Sequence, residues 1–467
     1  MYIEQLYTGC LAEAAYYIES NGEAAIIDPI RECDPYINLA DSRKAKIKYI
    51  FETHFHADFV SGHLDLAKKS GAEIVFGPNA VMSYDAIVAE DNQVFQLGDC
   101  QIKVIHTPGH TMESSCFLLI DEEGKEKALF SGDTLFIGDV GRPDLAVKSD
   151  LSKEDLAGYL YDSLRNKVMI LPDDVVVYPA HGAGSACGKN LSKDTFDLLG
   201  NQKATNYALQ DMSKDDFIKE VTEGILPPPQ YFPKAAAMNK NGYLSLDEIL
   251  NKGNKALSID TFDKLKDQAL VLDTRSQKDF CAGYIENSVF IGVDGSFAVW
   301  AGALITEMSQ PIVIIADKGR EEEVITRLAR VGYDNVLGYL EGGVENWKAE
   351  GRPLKTLKSI QPKELEALLN ENKSLNVVDV RKPGEYNDKH LEVATNLPLD
   401  FIEENFSSVN KDTTCYIHCR SGYRSVIAAS IYRKYGFENV VDVSGGFVGI
   451  DKETELPMVC SESVCHQ

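Results

Sequence analysis

Short apolar runs punctuate the first half of the chain, four or five residues each, at 24–27, 47–51, 102–105, 116–120 and 175–178. Rich in Ile, Val and Phe and bounded by turn residues, they predict strands. Residues 64–70, stopped by Gly71, predict a helix. The pattern describes a layered α/β domain with its loops gathered at strand ends. Leu226-Pro227-Pro228-Pro229-Gln230-Tyr231-Phe232-Pro233 cannot continue a helix or a central strand, so it marks the close of this unit, with a boundary near residue 245.

The remainder holds a weak internal repeat of roughly 100 residues, the size of a small domain. Val271-Leu272-Asp273-Thr274-Arg275 recurs as Val377-Val378-Asp379-Val380-Arg381, and Leu340-Glu341-Gly342-Gly343-Val344 recurs as Val443-Ser444-Gly445-Gly446-Phe447. In each copy an apolar strand feeds a loop and then a helix, at 324–331 and at 426–435, the order of a parallel doubly wound sheet. Three domains are expected, at residues 1–245, 246–355 and 356–467.

A length of 467 residues agrees with three cores, and 44% hydrophobic with 25% charged residues is ordinary globular composition. No apolar run is long enough to span a bilayer. The start, Met1-Tyr2-Ile3-Glu4-Gln5, has an early acid and no basic segment, which argues against a secretory signal and for the cytoplasm. A net charge of -25 argues against nucleic acid as a main partner. Ten scattered cysteines in a large chain favour reduced thiols over disulfides.

The chemistry-bearing residues lie at the predicted strand ends. Thr53-His54-Phe55-His56-Ala57-Asp58-Phe59 has the form of a two-metal motif whose last ligand is a phenyl ring, and a phenyl ring cannot coordinate. His54 and His56, two apart in extended chain, face the same way. His63 lies in the predicted helix, where a core or surface role is the simpler reading. His110 follows in Thr107-Pro108-Gly109-His110-Thr111, Asp133 in Ser131-Gly132-Asp133-Thr134, and His181 in Pro179-Ala180-His181-Gly182.

This order and spacing resembles the metallo-β-lactamase superfamily over about the first 240 residues, which implies an αββα sandwich with the metal at one edge of two sheets. Within it the chain looks most like the persulfide dioxygenases, with Gly141-Arg142-Pro143-Asp144-Leu145 as further support. The resemblance implies a mononuclear Fe(II) held by His54, His110 and Asp133, leaving open positions for a thiolate-type substrate and oxygen. It casts His56 as a nearby hydrogen-bonding residue and Asp58 and His181 as residues that orient ligands or water. Arg142 and Asp144 either organise the site, bind an anionic substrate or form a surface ion pair. Cys187, in the glycine-rich loop Gly182-Ala183-Gly184-Ser185-Ala186-Cys187-Gly188, is either a small buried residue or an accessible persulfide-carrying thiol near the metal.

His418-Cys419-Arg420-Ser421-Gly422-Tyr423-Arg424-Ser425 links a strand to a helix, so backbone N–H groups can point at the Cys419 sulfur while Arg420 and Arg424 add positive charge. The loop resembles that of rhodanese sulfurtransferases. In the middle copy Asp317 falls where Cys419 falls, and a carboxylate cannot carry sulfane sulfur, which makes that copy catalytically silent. Cys460 and Cys465 lie in a tail as incidental exposed thiols.

Together these features imply an α/β multidomain protein, a metallo-β-lactamase sandwich followed by two rhodanese-like doubly wound domains. They imply oxidation of a low-molecular-weight thiol persulfide by O2 to sulfite and thiol, coupled to sulfane-sulfur transfer with sulfite or thiosulfate, and hence sulfide detoxification. Partners are then small molecules, without nucleic acid or membrane, and a homo-oligomer is compatible with the silent middle copy. The alternative is a zinc-dependent thioester hydrolase of glyoxalase II type with accessory rhodanese domains.

Overall fold

The computed structural model describes residues 1–147 and 151–461. The chain forms two compact units, Met1–Glu248 with Leu328–Asp334, and Ile249–Arg327 with Asn335–Gln467.

The first unit is built on two six-stranded sheets. One runs in chain order through Tyr2–Thr8, Glu13–Ser20, Glu23–Ile27, Lys46–Glu52, Glu73–Phe76 and Ile87–Val88; the other contains Val94–Leu97, Cys100–His106, Ser115–Ile120, Glu126–Gly132, Val176–Pro179 and Asp197–Leu198. Side chains alternate between the faces of a strand. In Ser115–Ile120, Phe117 and Leu119 therefore join Tyr16, Phe51 and Phe130 between the sheets, whereas Cys116 and Leu118 pack with Leu160 and Leu164 under the helical layer. Burial on both faces explains why Ser115–Ile120 reads as an unbroken apolar run after its first residue. On the first sheet the helices Asp34–Arg43 and His63–Ser70 lie along Lys46–Glu52, and Gly71 ends the second of them in a left-handed conformation.

The proline-rich segment leads into one more helix, Phe232–Asn241, with Pro233 in its first turn. There the missing N–H is harmless, because first-turn N–H groups have no intrahelical acceptor. Leu328–Asp334 is gripped by Arg31, a fully buried residue that donates to Asp334 Oδ1 at 2.6 Å and Oδ2 at 3.0 Å, and to the carbonyls of Ala329 and Leu244.

The second unit contains two five-stranded parallel sheets with the same strand order. One is Ala256–Leu257, Val336–Leu340, Ile312–Ile315, Leu270–Asp273, Val289–Phe290; the other is Lys358–Ile360, Val440–Val443, Cys415–His418, Asn376–Asp379, Ala394–Asn396. The sequence repeat is a structural repeat down to single bonds. Arg275 pairs with Asp273 at 2.6 Å and donates to the Gly283 carbonyl, while Arg381 pairs with Asp379 at 2.7 Å and donates to the Lys389 carbonyl. The helices after the two loops are Glu321–Ala329 and Tyr423–Lys434, each starting three residues before the apolar pattern does. Their first turns are polar and close the loops.

Eight cysteines among the described residues are free. Cys460, expected as an exposed thiol, is instead disulfide-bonded and ends the strand Met458–Cys460 paired with Lys389–Leu391. Cys465 lies outside the described residues. Among the described residues no helix is long and apolar enough to cross a membrane.

Candidate functional site

Four strand ends of the first unit deliver the three predicted metal residues and His181 to one place. His54 follows Lys46–Glu52, His110 follows Cys100–His106, Asp133 follows Glu126–Gly132 and His181 follows Val176–Pro179. One donor atom from each of His54, His110 and Asp133 lies within 4.8 Å of the others, and all three residues are buried. Asp133 Oδ2 stands 3.4 Å from His110 Nε2 and 3.9 Å from His54 Nε2, and Asp133 Oδ1 stands 3.5 Å from His181 Nε2.

The protonation of these rings follows from their other nitrogens. His110 Nδ1 lies 2.9 Å from the Arg142 carbonyl and His181 Nδ1 3.1 Å from the Ala12 carbonyl; a carbonyl only accepts, so both Nδ1 atoms carry the proton. Thr53 has one hydroxyl proton, directed to Asp28 Oδ2 at 2.8 Å, so His54 Nδ1 donates to Thr53 Oγ1 at 2.9 Å. With Nδ1 committed elsewhere, Nε2 is the nitrogen that each ring turns toward the Asp133 carboxylate. Burial, reinforced by His56, His110 and His181, holds His54 well below the usual histidine range and keeps it neutral. Both Asp133 oxygens and His181 Nε2 are buried without a hydrogen-bond partner. Buried polar atoms without a hydrogen-bond partner are costly unless a cation stands among them, and a fixed Nδ1–H on each ring is the arrangement that metal-bound histidines share. The residues fit a metal ion.

His56 belongs to two other candidate groups, one with Asp58 and His181 and one with Asp28 and Glu52. Its Nε2 is 3.1 Å from Asp28 Oδ1 and 3.7 Å from Glu52 Oε2. Burial opposes its charge, but Asp28, then Glu52 and Asp58, raise it to about 10. Phe59 is buried with its ring 4.3 Å from the His56 ring. Asp58 Oδ2 lies 3.3 Å from His181 Nε2, and His56, Asp58 and His181 together form a second buried group of candidate ligands beside the phenyl ring. His63 belongs to none of the candidate ligand groups among the described residues; it is buried 3.4 Å from Glu52 Oε1 among Phe76, Tyr84 and Tyr243.

Arg142 and Asp144 are not a surface ion pair. Arg142 is buried and paired twice with Asp144, at 2.6 and 2.8 Å, and it also donates to the carbonyls of Ala186 and Leu226. Its own carbonyl holds His110 and its N–H donates to the Cys187 carbonyl. With these donors engaged, it braces three loops. Gly141 passes so close that an added Cβ would overlap the Asp133 carbonyl. Cys187 reaches Asp133 and His181 as expected, but the accessible thiol is corrected: it is buried, and burial followed by the charges of Asp58 and Asp133 pushes its thiol well up.

Several supporting residues escaped the sequence reading. Asp28 and Glu52 end strands just as the metal residues do, so the strand-end rule could have found them. Asn239 carried no such signal. From the helix Phe232–Asn241 its side chain donates to the His56 and Phe59 carbonyls, each at 2.8 Å, and accepts from the Ser61 N–H. Beside His110 opens a cavity of about 280 Å³ with apolar walls, including Phe55, Met112 and Ala236, and two charged residues, Glu113 and Lys240.

In the last domain Cys419 is buried between its strand and helix, and the Gly422 N–H donates to its Sγ at 3.2 Å. Arg420 is exposed. Arg424 is clamped by Glu385 at 2.6 and 2.8 Å, so part of the expected positive charge is already balanced. In the middle copy the Gly319 N–H is taken by Glu321 at 2.7 Å, and a cavity of about 810 Å³ around Asp317 is lined by Asp279, Glu321, Glu341 and Glu345 as well as Arg275 and Lys348.

Comparison with known proteins agrees with this architecture. The sequence matches the metallo-beta-lactamase superfamily over residues 8–181 and the rhodanese-like domain twice, over 258–350 and 361–453. A crystal structure of a metallo-beta-lactamase from Staphylococcus aureus is 32% identical, with a TM-score of 0.64, covering 73% of this chain and 98% of that one. A hydroxyacylglutathione hydrolase of Rhizobium etli is 37% identical over 163 residues, which is 34% of this chain and 57% of that protein. A probable hydroxyacylglutathione hydrolase of Schizosaccharomyces pombe is 33% identical over 162 residues, 34% of this chain and 58% of that protein. The chain thus spans little more than half the length of these curated relatives.

Proposed function

The chain belongs to the metallo-beta-lactamase superfamily and carries two rhodanese-like domains, and from this we propose that it oxidises a low-molecular-weight thiol persulfide with O2 at a mononuclear Fe(II) and moves sulfane sulfur through Cys419. The observation that carries the reading is the donor set itself. Two imidazoles and one carboxylate, His54, His110 and Asp133, converge on one point, while Phe59 stands where the related two-metal motif has a further donor. Bound in such a set, Fe(II) supplies open coordination positions and the redox chemistry of a non-haem oxygenase.

The chain's own residues do the rest. Thr53 and the Arg142 carbonyl fix the ligand rings, and the Phe59 ring packs against His56 on the second-ion side. The cavity beside His110 receives the thiol carrier, its apolar walls against carbon and Lys240 and Glu113 at the polar end. The overall reaction balances as RSSH + O2 + H2O giving RSH and sulfurous acid, which ionises to sulfite. In the last domain a Cys419 persulfide and sulfite give the Cys419 thiol and thiosulfate, and the reverse regenerates the persulfide. The Gly422 N–H stabilises the sulfur anion in either direction. Residues 246–355 form a domain without sulfur chemistry, since Asp317 holds the cysteine position. The biological role that follows is sulfide detoxification.

A second reading, a zinc thioester hydrolase, is favoured by the names of the curated relatives and by His56, Asp58 and His181, which form a second group of candidate ligands. Purification without oxygen, assay of bound iron and zinc, and oxygen uptake on adding a thiol persulfide separate the two. Iron with oxygen consumption and sulfite release is expected. Zinc as the active ion, without oxygen uptake, would reject the dioxygenase.

A further inference from the structure

Tyr423 occupies the one position of the sulfur loop that lies between its two working parts. Gly422, on one side, donates its N–H to Cys419 Sγ, and Arg424, on the other, is set by Glu385. The Tyr423 side chain belongs to neither. It reaches into the other rhodanese-like copy, where its hydroxyl donates to the Gly292 carbonyl at 2.7 Å and its ring stands edge-on to Phe290 at 6.1 Å. The ring fills a notch that only glycine leaves open, since a Cβ at Gly295 would overlap Tyr423 Cζ.

The contact continues along the same helix. Ser430, two turns after Tyr423, accepts from the Phe290 N–H at 2.9 Å, and Arg433 Nε donates to the Tyr284 hydroxyl at 3.2 Å. The receiving turn is itself braced: Arg327 donates to the Val293 carbonyl at 2.6 Å, and Arg320 pairs with Asp294 at 2.8 Å. Arg320 comes from the very loop in which Asp317 replaces the sulfur-bearing cysteine. That loop therefore serves as scaffold.

We propose that the first rhodanese-like domain is the positioning element of the sulfur loop, its Gly292–Gly295 notch seating Tyr423 so that Gly422 and Arg424 stay in place around Cys419. Tyr423 touches no reacting atom; it is a positioning residue. The proposal rests on the reading of Cys419 as the sulfur-transfer thiol. Its physical basis is that an anion-stabilising N–H works only at the right distance, and a displacement of about 1 Å can lower a rate up to 100-fold.

The test uses the full chain and two variants on opposite sides of the contact, Gly295→Ala and Tyr423→Phe. The rate of Cys419 alkylation is followed against pH by mass spectrometry of its peptide, together with kcat and KM for sulfur transfer from thiosulfate to cyanide. Melting temperature and metal content serve as controls. Gly295→Ala, although it lies in the other domain, is expected to lower kcat roughly tenfold with little change in KM, and to move the alkylation midpoint to higher pH. Tyr423→Phe, which keeps the ring and loses one hydrogen bond, should produce a smaller change in the same direction. Wild-type alkylation profiles and kcat in both variants would overturn the proposal. If the wild-type chain transfers no sulfur, the assignment of Cys419 fails, and the alkylation profiles still decide whether the notch sets the loop.

Discussion

Phe59 and His56 show how one residue type redirects a site. A phenyl ring has no lone pair, and here it packs 4.3 Å from, and tilted 31° to, an imidazole that faces Asp28 and Glu52. The Asp58–His181 pair beside it remains intact. Phe59→His is therefore expected to complete a second donor set and raise the metal content of the purified protein from one ion toward two per chain, with loss of persulfide-driven oxygen uptake. Elemental analysis beside oxygen-electrode traces checks this. An unchanged ion count would mean that Phe59 only packs against His56. The candidate metal residues were legible because each stands at a strand end in a recognisable spacing. Asn239 was not, because a side chain that holds carbonyls from 180 residues away leaves no local pattern.

The helix Tyr423–Lys434 illustrates the element scale. Its apolar pattern starts at Val426, but the helix begins at Tyr423, because the first turn works for the loop and its side chains are spoken for by other elements. Arg424 is one of these, clamped by Glu385. Burial raises the Glu385 carboxyl, but the Arg424 guanidinium outweighs it and holds the group below its ordinary value of 4.5. The folded value is lowered, so the stabilisation is present above the unfolded value and is lost as pH falls through the folded one. Wild-type melting temperatures should therefore drop more steeply below about pH 4.5 than those of Glu385→Gln. Differential scanning calorimetry across that range is the check; parallel curves would mean that the clamp adds nothing to stability. Glu385 itself was not legible, since its partner lies 39 residues away.

At the scale of the whole molecule, the units do not follow chain order, because Leu328–Asp334 packs with the first 248 residues. Arg31 is the reason that can be tested. Removing Asp334 leaves a buried guanidinium without its counter-ion, a change that costs about 3–5 kcal/mol in comparable cases, whereas replacing both partners by apolar residues recovers much of it. Asp334→Ala should lower the urea midpoint of the first unit, and Arg31→Met with Asp334→Leu should restore most of it; equal loss in both would assign the effect to packing alone. The sequence by itself pointed to the domain types, several of the strands and the candidate metal and sulfur residues, because strand ends and loop motifs are local and carry their chemistry in short spacings. The tertiary structure alone decided which nitrogen of each histidine is free, that Cys187 is buried, that Arg142 is a brace, and that Tyr423 is seated in the neighbouring copy. These depend on carbonyls, carboxylates and notches brought together from distant parts of the chain, and such encounters are fixed by packing, which no local pattern records.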